Sequence, residues 1–324
     1  MHLAVHESLQ RSDALEKAPL MASNIAVFLF DLPRSGDANM QVDAWLLEHA
    51  SKQRLPQGTY LNDQGMLVSH DALPAAPIVV RIYRWQEPTL SLGHFQSIDQ
   101  LSTSWDTKDA TALKKLPWVK RRTGGGAILH DCEWTYSITI PTTNQSSPTA
   151  IGHQNTIPGS KGASEILYRA VHRSIAQGLR EIGADAEFSE ECTCTIKKPE
   201  QSSKSDEGFL CFHRRSPLDL VIGPSKILGS AQRRGHSGLL QHGSLLLKAS
   251  AAYPSIWGIK DCYPDVSLQP VGKNGKDSEA WDEWLANRIF QAILELGPAS
   301  RWNSRLKPDS WQDTILDSPR VGLC

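Results

Sequence analysis

Cys211 is one of six cysteines in this 324-residue chain and the only one in a Cys-Phe step. Once ionised, a thiol is among the most nucleophilic side chains, so Phe209-Leu210-Cys211-Phe212 could carry an acyl group as a thioester. The bland alternative is a small hydrophobe packed between large ones. Fifteen residues later (226 − 211) stands Lys226, in Ser225-Lys226-Ile227-Leu228-Gly229-Ser230-Ala231-Gln232. A lysine flanked by small residues in a short strand sits either at a pocket floor or on a solvated edge. A third segment, Arg121-Arg122-Thr123-Gly124-Gly125-Gly126-Ala127, joins two arginines to three glycines. Backbone N–H groups there can crowd an anionic or carbonyl oxygen that a Cβ would keep away, or the run is only a tight turn. It is no Walker loop, since no Gly-Lys-Ser/Thr follows, and no dinucleotide fingerprint, since no helix opens after it. His242, in Leu240-Gln241-His242-Gly243-Ser244, is the fourth candidate and could equally be structural.

Alternating strands and helices must position these residues. An apolar strand is expected over residues 24–32. A helix opens after Ser35-Gly36-Asp37, with Met40, Ala44, Trp45 and Leu47 at helical spacing. The β-branched run Ile78–Tyr83 reads as a strand, as do 89–93, 118–122 and 127–130, the last two flanking the glycines, and 135–140. Residues 164–183 form an amphipathic helix on Ile166, Leu167, Ala170, Val171, Ile175 and Leu179. Strands follow at 218–222, 226–231 and 239–247. A closing helix over 278–296 carries Trp281, Trp284, Leu285, Ile289 and Ile293 on one face. Residues 141–162 and 190–208 are polar loops, the second read as mobile. No internal repeat is visible. The mixture is α/β or α+β, organised as a flexible extension (1–23), one catalytic domain (24–300) and a tail (301–324).

A net charge of −1 gives no polyelectrolyte bias, so no nucleic-acid partner is expected. The longest apolar run, Asn24 to Leu32, is too short for a bilayer, and the leader before it lacks a secretory pattern. Cysteine spacing suggests neither a disulfide scaffold nor a metal site. Cys192-Thr193-Cys194 lacks the two-residue gap of a zinc knuckle. A reducing cytoplasm fits best.

Taken together, the segments are more specific than any one alone. The run from Arg121 through Ala127 with His130-Asp131, then Lys226 with Gly229-Ser230-Ala231-Gln232, then Gln241-His242-Gly243, resembles the lipoate-protein ligase A / octanoyltransferase family. Asn39-Met40 with Asp43, Trp85 through Pro88, and Ser91-Leu92-Gly93 with Phe95-Gln96 add weaker likeness. The resemblance spans roughly residues 24–300, with insertions near 141–162 and 192–208. It implies a mixed-sheet α/β domain of the biotin-synthetase and lipoate-ligase type.

Two chemistries occur in that family. Ligases adenylate lipoate with ATP, whereas octanoyltransferases take octanoate from acyl carrier protein without a cofactor. Glu133-Trp134-Thr135-Tyr136-Ser137 is similar to the cysteine-dependent octanoyltransferases, which carry a nucleophilic Cys-Phe where Cys211-Phe212 stands. Little sequence follows the closing helix for a ligase's accessory domain. The resemblance therefore implies Cys211 as nucleophile and Lys226 as its charged partner. It implies substrate contacts from Arg121, Arg122, Gly124, Gly125, Gly126, His130, Gly229, Ser230 and His242. The partners implied are octanoyl acyl carrier protein and an acceptor lysine of an apo lipoyl domain or the glycine cleavage H protein. Lys114, Lys115, Lys120, Arg214, Arg215, Arg233 and Arg234 are candidates for receiving the acidic carrier. The third glycine departs from the cysteine-dependent pattern toward the ligases, so an ATP-dependent lipoate ligase is the alternative. A noncatalytic lipoyl-domain binder and a biotin ligase fit less of the pattern.

Overall fold

A computed structural model describes residues 25–52, 58–61, 67–70, 78–101, 108–141, 161–193, 209–268, 277–296 and 300–302. The strands are β1 (Ile25–Phe30), β2 (Gly58–Leu61), β3 (Leu67–His70), β4 (Ile78–Tyr83), β5 (Thr89–Leu92), β6 (Trp118–Lys120), β7 (Ile128–His130), β8 (Glu133–Pro141), β9 (Glu187–Phe188), β10 (Leu220–Ile222), β11 (Ser225–Arg234), β12 (Gly238–Leu246) and β13 (Ser300–Trp302). The helices are α1 (Gly36–Glu48), α2 (Lys108–Lys114), α3 (Lys161–Glu181), α4 (Ile259–Cys262) and α5 (Asp277–Leu296).

Eight strands form one mixed sheet in the order β13-β1-β4-β8-β12-β11-β10-β9, and β6-β5-β7 form a smaller one. Side chains alternate between the faces of a strand. Ile78, Val80 and Ile82 of β4 and Trp134, Tyr136, Ile138 and Ile140 of β8 join the main core with α3 and α5. The alternate residues Arg81, Tyr83, Thr135 and Ser137 are also buried, on the opposite face. That second face is polar inside, which explains why β4 and β8 read as unbroken apolar or mixed runs rather than as half-solvated strands. The five core positions expected on α5 are all buried, as are Leu167, Ala170, Val171, Ile175 and Leu179 of α3, while Ile166 is exposed.

On α1 the inward face differs from the expected one. Ser35 caps the helix, and Asn39, Val42, Asp43, Leu46 and Leu47 are buried, while Met40, Ala44 and Trp45 are only partly covered. The helix turns this way because Arg81 is fully buried and needs partners. Its guanidinium donates to Asn39 Oδ1 at 2.6 Å and Asp43 Oδ1 at 2.9 Å and pairs with Asp31 at 2.8 Å. An unpaired buried charge would cost far more than two apolar contacts.

Two of the residues expected in a C-terminal tail, Arg301 and Trp302, lie in β13, which pairs parallel with β1. The expected extension 1–23 and most of the loops 141–162 and 190–208 lie outside the described residues. No described helix is long and apolar enough to cross a membrane.

Candidate active site

Cys211 sits in a short 3₁₀ turn, Cys211–His213, held against the glycine loop rather than in a strand. Its N–H donates to Ala127 O at 2.7 Å, and Ala127 N–H donates to Phe209 O at 3.0 Å. A Cβ on Gly126 would lie 2.9 Å from Cys211 N and 3.0 Å from its Cα, so the glycine lets the two backbones touch. Gly125 has φ of 93°, the left-handed turn that lets the loop double back. Arg121 fixes that turn from below: it donates to Ser91 O at 2.8 Å, Gly124 O at 2.9 Å and Gly126 O at 2.6 Å. Burial pulls the Arg121 guanidinium down to about 10, against the raising influence of Cys211 and Tyr83. It thus remains cationic at neutral pH, with most of its donors spent on the loop.

Lys226 comes from β11 and is buried. Its Nζ lies 3.5 Å from Cys211 Sγ, 3.3 Å from Cys211 O and 3.4 Å from Arg214 O. Asp219 Oδ2, also buried, pairs with it at 2.8 Å. An ammonium has three donors, so these acceptors fully occupy it and fix its position. Asp219 is held in turn by Ser216 N–H at 2.6 Å and the Tyr168 hydroxyl at 3.0 Å. Burial, then Asp219, pushes the Tyr168 phenol well above its ordinary value, so it stays a donor.

Cys211 borders a cavity together with Arg121, Gly124, Gly125, His130, Gly229, Ser230 and His242. Its floor is one row of the large sheet. Gly229 pairs with Ser244, Ser244 with Thr135, and Thr135 with Tyr83, and all four border the cavity. Three strand spacings make this row about 14 Å long. A Cβ on Gly229 would lie 2.9 Å from Lys226 Nζ, so the Cys–Lys pair stands at the β11 end of the row. At the β4 end, Trp85 stacks on His130 with centroids 3.8 Å apart and donates to Thr135 Oγ1 at 2.9 Å.

His130 and His242 are both built in. His130 Nε2 lies 2.7 Å from Ser91 Oγ, and its Nδ1 lies 2.5 Å from Glu133. Glu133 also accepts from Thr135 Oγ1 at 2.6 Å and from the Ser244 hydroxyl. His242 Nε2 lies 2.6 Å from Thr123 Oγ1, with Asp43 3.6 Å from Nδ1. Burial lowers His242 despite Asp43, so the neutral ring accepts from Thr123. Burial raises the Asp43 carboxyl, but His242, Arg81 and Tyr83 together hold it below its usual range.

Three expected contacts are placed differently. Gly126 is not among the residues bordering the cavity and packs against the Cys211 backbone. Arg122 is exposed, pairs with Glu48 and borders a separate groove with Arg233 and Arg234. Successive residues after β6 diverge, so Arg121 turns inward and Arg122 outward. Ser230 borders the cavity, yet its hydroxyl is 2.7 Å from both His172 Nε2 and Tyr136 Oη, and its N–H donates to Tyr168 at 3.0 Å. Those partners lie on the α3 side of the sheet. Asp219, Tyr168, His172 and Arg81 were not anticipated. The available signal was a charged residue inside an apolar run, Arg81 in β4 and Asp219 between Leu218 and Leu220.

Residues 36–255 match the family model described as the lipoyl protein ligase A/B catalytic domain. The chain belongs to that family. The octanoyltransferase LipM of Kyrpidia tusciae is 30% identical over 206 residues, covering 64% of this chain and 67% of that protein. The octanoyltransferase LipM of Bacillus subtilis is 34% identical over 185 residues, covering 57% of this chain and 59% of that protein. Among solved structures, a T. acidophilum protein described as a lipoate protein ligase, with bound lipoic acid, aligns with a TM-score of 0.50 at 15% identity. That alignment covers 91% of this chain and 95% of the other. The shared fold is the mixed-sheet architecture expected from the sequence resemblance.

Proposed function

We propose that the chain is an octanoyltransferase that moves an eight-carbon acyl group from acyl carrier protein, through a thioester on Cys211, to a lysine of a lipoyl domain or of the glycine cleavage H protein. The observation that carries this reading is the Lys226 ammonium 3.5 Å from Cys211 Sγ at the end of the 14 Å row. The thiolate is the attacking form of a cysteine, and Lys226 Nζ stands within hydrogen-bond reach of the sulfur. The thiolate attacks the donor's carbonyl carbon, a C–S bond forms to Cys211, and the donor's C–S bond breaks with its electron pair on the departing sulfur. The acceptor amine then attacks the new thioester. A C–N bond forms, the Cys211 C–S bond breaks, and Lys226 gives sulfur one proton while taking one from the amine.

The N–H groups of Gly125 and Gly126 have no backbone partner among the described residues, whereas Ser230 N–H is engaged by Tyr168. The glycine loop is therefore our assignment for the oxyanion donors. Seven C–C bonds of about 1.5 Å zigzag to about 9 Å, so the length of an octanoyl chain and its thioester matches the row from Cys211 toward Tyr83. Both steps exchange existing acyl bonds, so the proposed reaction needs no nucleotide. We assign it to the cytoplasm, where the carrier donor is made.

The test is direct. Native protein with octanoyl carrier protein and apo lipoyl domain should yield octanoylated domain equally with and without ATP. Product formed only from free lipoate and ATP would replace this reading with the ligase.

A further inference from the structure

The cavity has a second axis. On β11, Gly229, Ala231 and Arg233 share one face, and the β11–β12 register is continuous through them. Gly229 stands beside the Cys–Lys pair, Ala231 borders the cavity, and Arg233 borders the neighbouring groove. This column runs along the strand, at right angles to the row that we assign to the acyl chain. Four residue steps make it about 13 Å long. Gly229 and Ala231 place only a hydrogen and a methyl on that face.

The groove at its end is bordered by Leu47, Glu48, Arg122, Arg233, Arg234 and His236, among others. Among the described residues bordering it, the arginines Arg122, Arg233 and Arg234 stand with one carboxylate, Glu48, on a chain whose overall charge is −1. Glu48 is taken up by Arg122. Arg233 is exposed and makes no ion pair among the described residues. Two further segments run from cavity to groove: α1, from Met40 to Leu47, and the glycine loop, from Gly124 back to Arg122. Seven residues of helix cover about 10 Å. The groove thus abuts the cavity on the side away from Lys226.

We propose that this groove binds the phosphate at the base of the donor's thioester arm, with Arg233 and Arg234 as its principal ligands. Carrier and coenzyme thioesters share a pantetheine arm that ends in a phosphate ester. From sulfur to phosphorus the arm has about 13 bonds, which zigzag to about 16 Å, enough for the column with a slight bend. Guanidinium forks suit phosphate oxygens. The site is therefore L-shaped: the acyl chain lies across the strands, the arm lies along β11, and the two meet at Cys211.

This inference rests on the acyl-transfer reading. The experiment compares kcat/KM for acylation by octanoyl-pantetheine, octanoyl-phosphopantetheine and octanoyl carrier protein. With native protein the phosphorylated small donor should exceed the unphosphorylated one by about tenfold or more, the value of a charge-assisted bond. Arg233→Ala with Arg234→Ala should bring that ratio close to one and lower carrier-dependent acylation comparably. These are surface changes, and retained acylation by octanoyl-pantetheine reports the fold. A ratio near one in native protein, or an unaltered ratio in the variant, overturns the proposal. So does a loss confined to the carrier, which would assign the arginines to the carrier's acidic surface instead. Failure of native protein to accept octanoate from any donor would sink the acyl-transfer reading itself.

Discussion

His172 gives a prediction that is independent of catalysis. The ring is fully buried on α3, with Nδ1 2.7 Å from Leu218 O and Nε2 2.7 Å from Ser230 Oγ. A carbonyl can only accept, so Nδ1 carries the proton and Nε2 accepts from Ser230. Burial pulls the ring down to about 3; the Leu218 bond opposes this and the Lys226 charge adds to it. An unfolded histidine ionises near 6.5. As pH falls below that value, the unfolded chain takes up a proton that the fold refuses until about pH 3, so stability falls on acidification. Each pH unit is worth about 1.4 kcal/mol, which makes the loss between pH 7 and pH 5 about 2 kcal/mol. His172→Gln removes this titration. Urea unfolding of both proteins at pH 7, 6 and 5 isolates it, because Asp31, Asp43 and His242 titrate alike in both and cancel. The native protein should lose about 2 kcal/mol more than the variant over that range, whatever the variant's absolute stability. Equal losses would mean that His172 accepts a proton inside the fold, and the hydrogen-bond assignment would be wrong.

Other expectations concern the site. Lys226→Ala should cut turnover by about two orders of magnitude or more with the fold intact by circular dichroism, and Lys226→Arg should rescue poorly, because a guanidinium cannot hand a proton to sulfur. Near-normal activity of the alanine variant would remove Lys226 from the mechanism, and near-normal activity of the arginine variant would remove its proton transfer. Shortening the donor from octanoyl to hexanoyl removes two CH₂ groups, about 1.6 kcal/mol, and should lower kcat/KM about fifteenfold in donor-competition assays. Equal use of both chains would contradict the assigned row. Gly126→Ala drives a methyl into backbone atoms of Cys211 and Phe209. It should cost about 1–3 kcal/mol in thermal or urea unfolding and most of the acylation rate; a silent substitution would mean that the loop does not set the position of Cys211.

The fold was legible where side-chain period decides it. The β-branched run Ile78–Tyr83 and the tryptophan face of α5 follow directly from strand and helix spacing. The face of α1 was not, because Arg81, 42 residues from Asn39, dictates which side turns inward. Short elements such as α4 and the Cys211–His213 turn leave no periodic trace. In the site, types and spacing singled out Cys211, Lys226 and the glycine loop, whose approach needs only a return of the chain. Asp219 escaped notice because its partner, Lys226, and its supports, Ser216 and Tyr168, converge only in three dimensions. Arg121 and Arg122 looked equivalent in sequence, and only the end of β6 separates the buried one from the exposed one.

The central claim is that Cys211 carries the acyl group. Native protein incubated with octanoyl carrier protein alone, then digested and analysed by mass spectrometry, should show one octanoyl group on the Cys211 peptide. Hydroxylamine should remove it, as it does thioesters but not amides, and Cys211→Ser should show no thioester and little transfer. The adduct on Cys132, the other cysteine near the glycine loop, or full transfer by Cys211→Ser, would contradict the account and leave Cys211 as a packing residue.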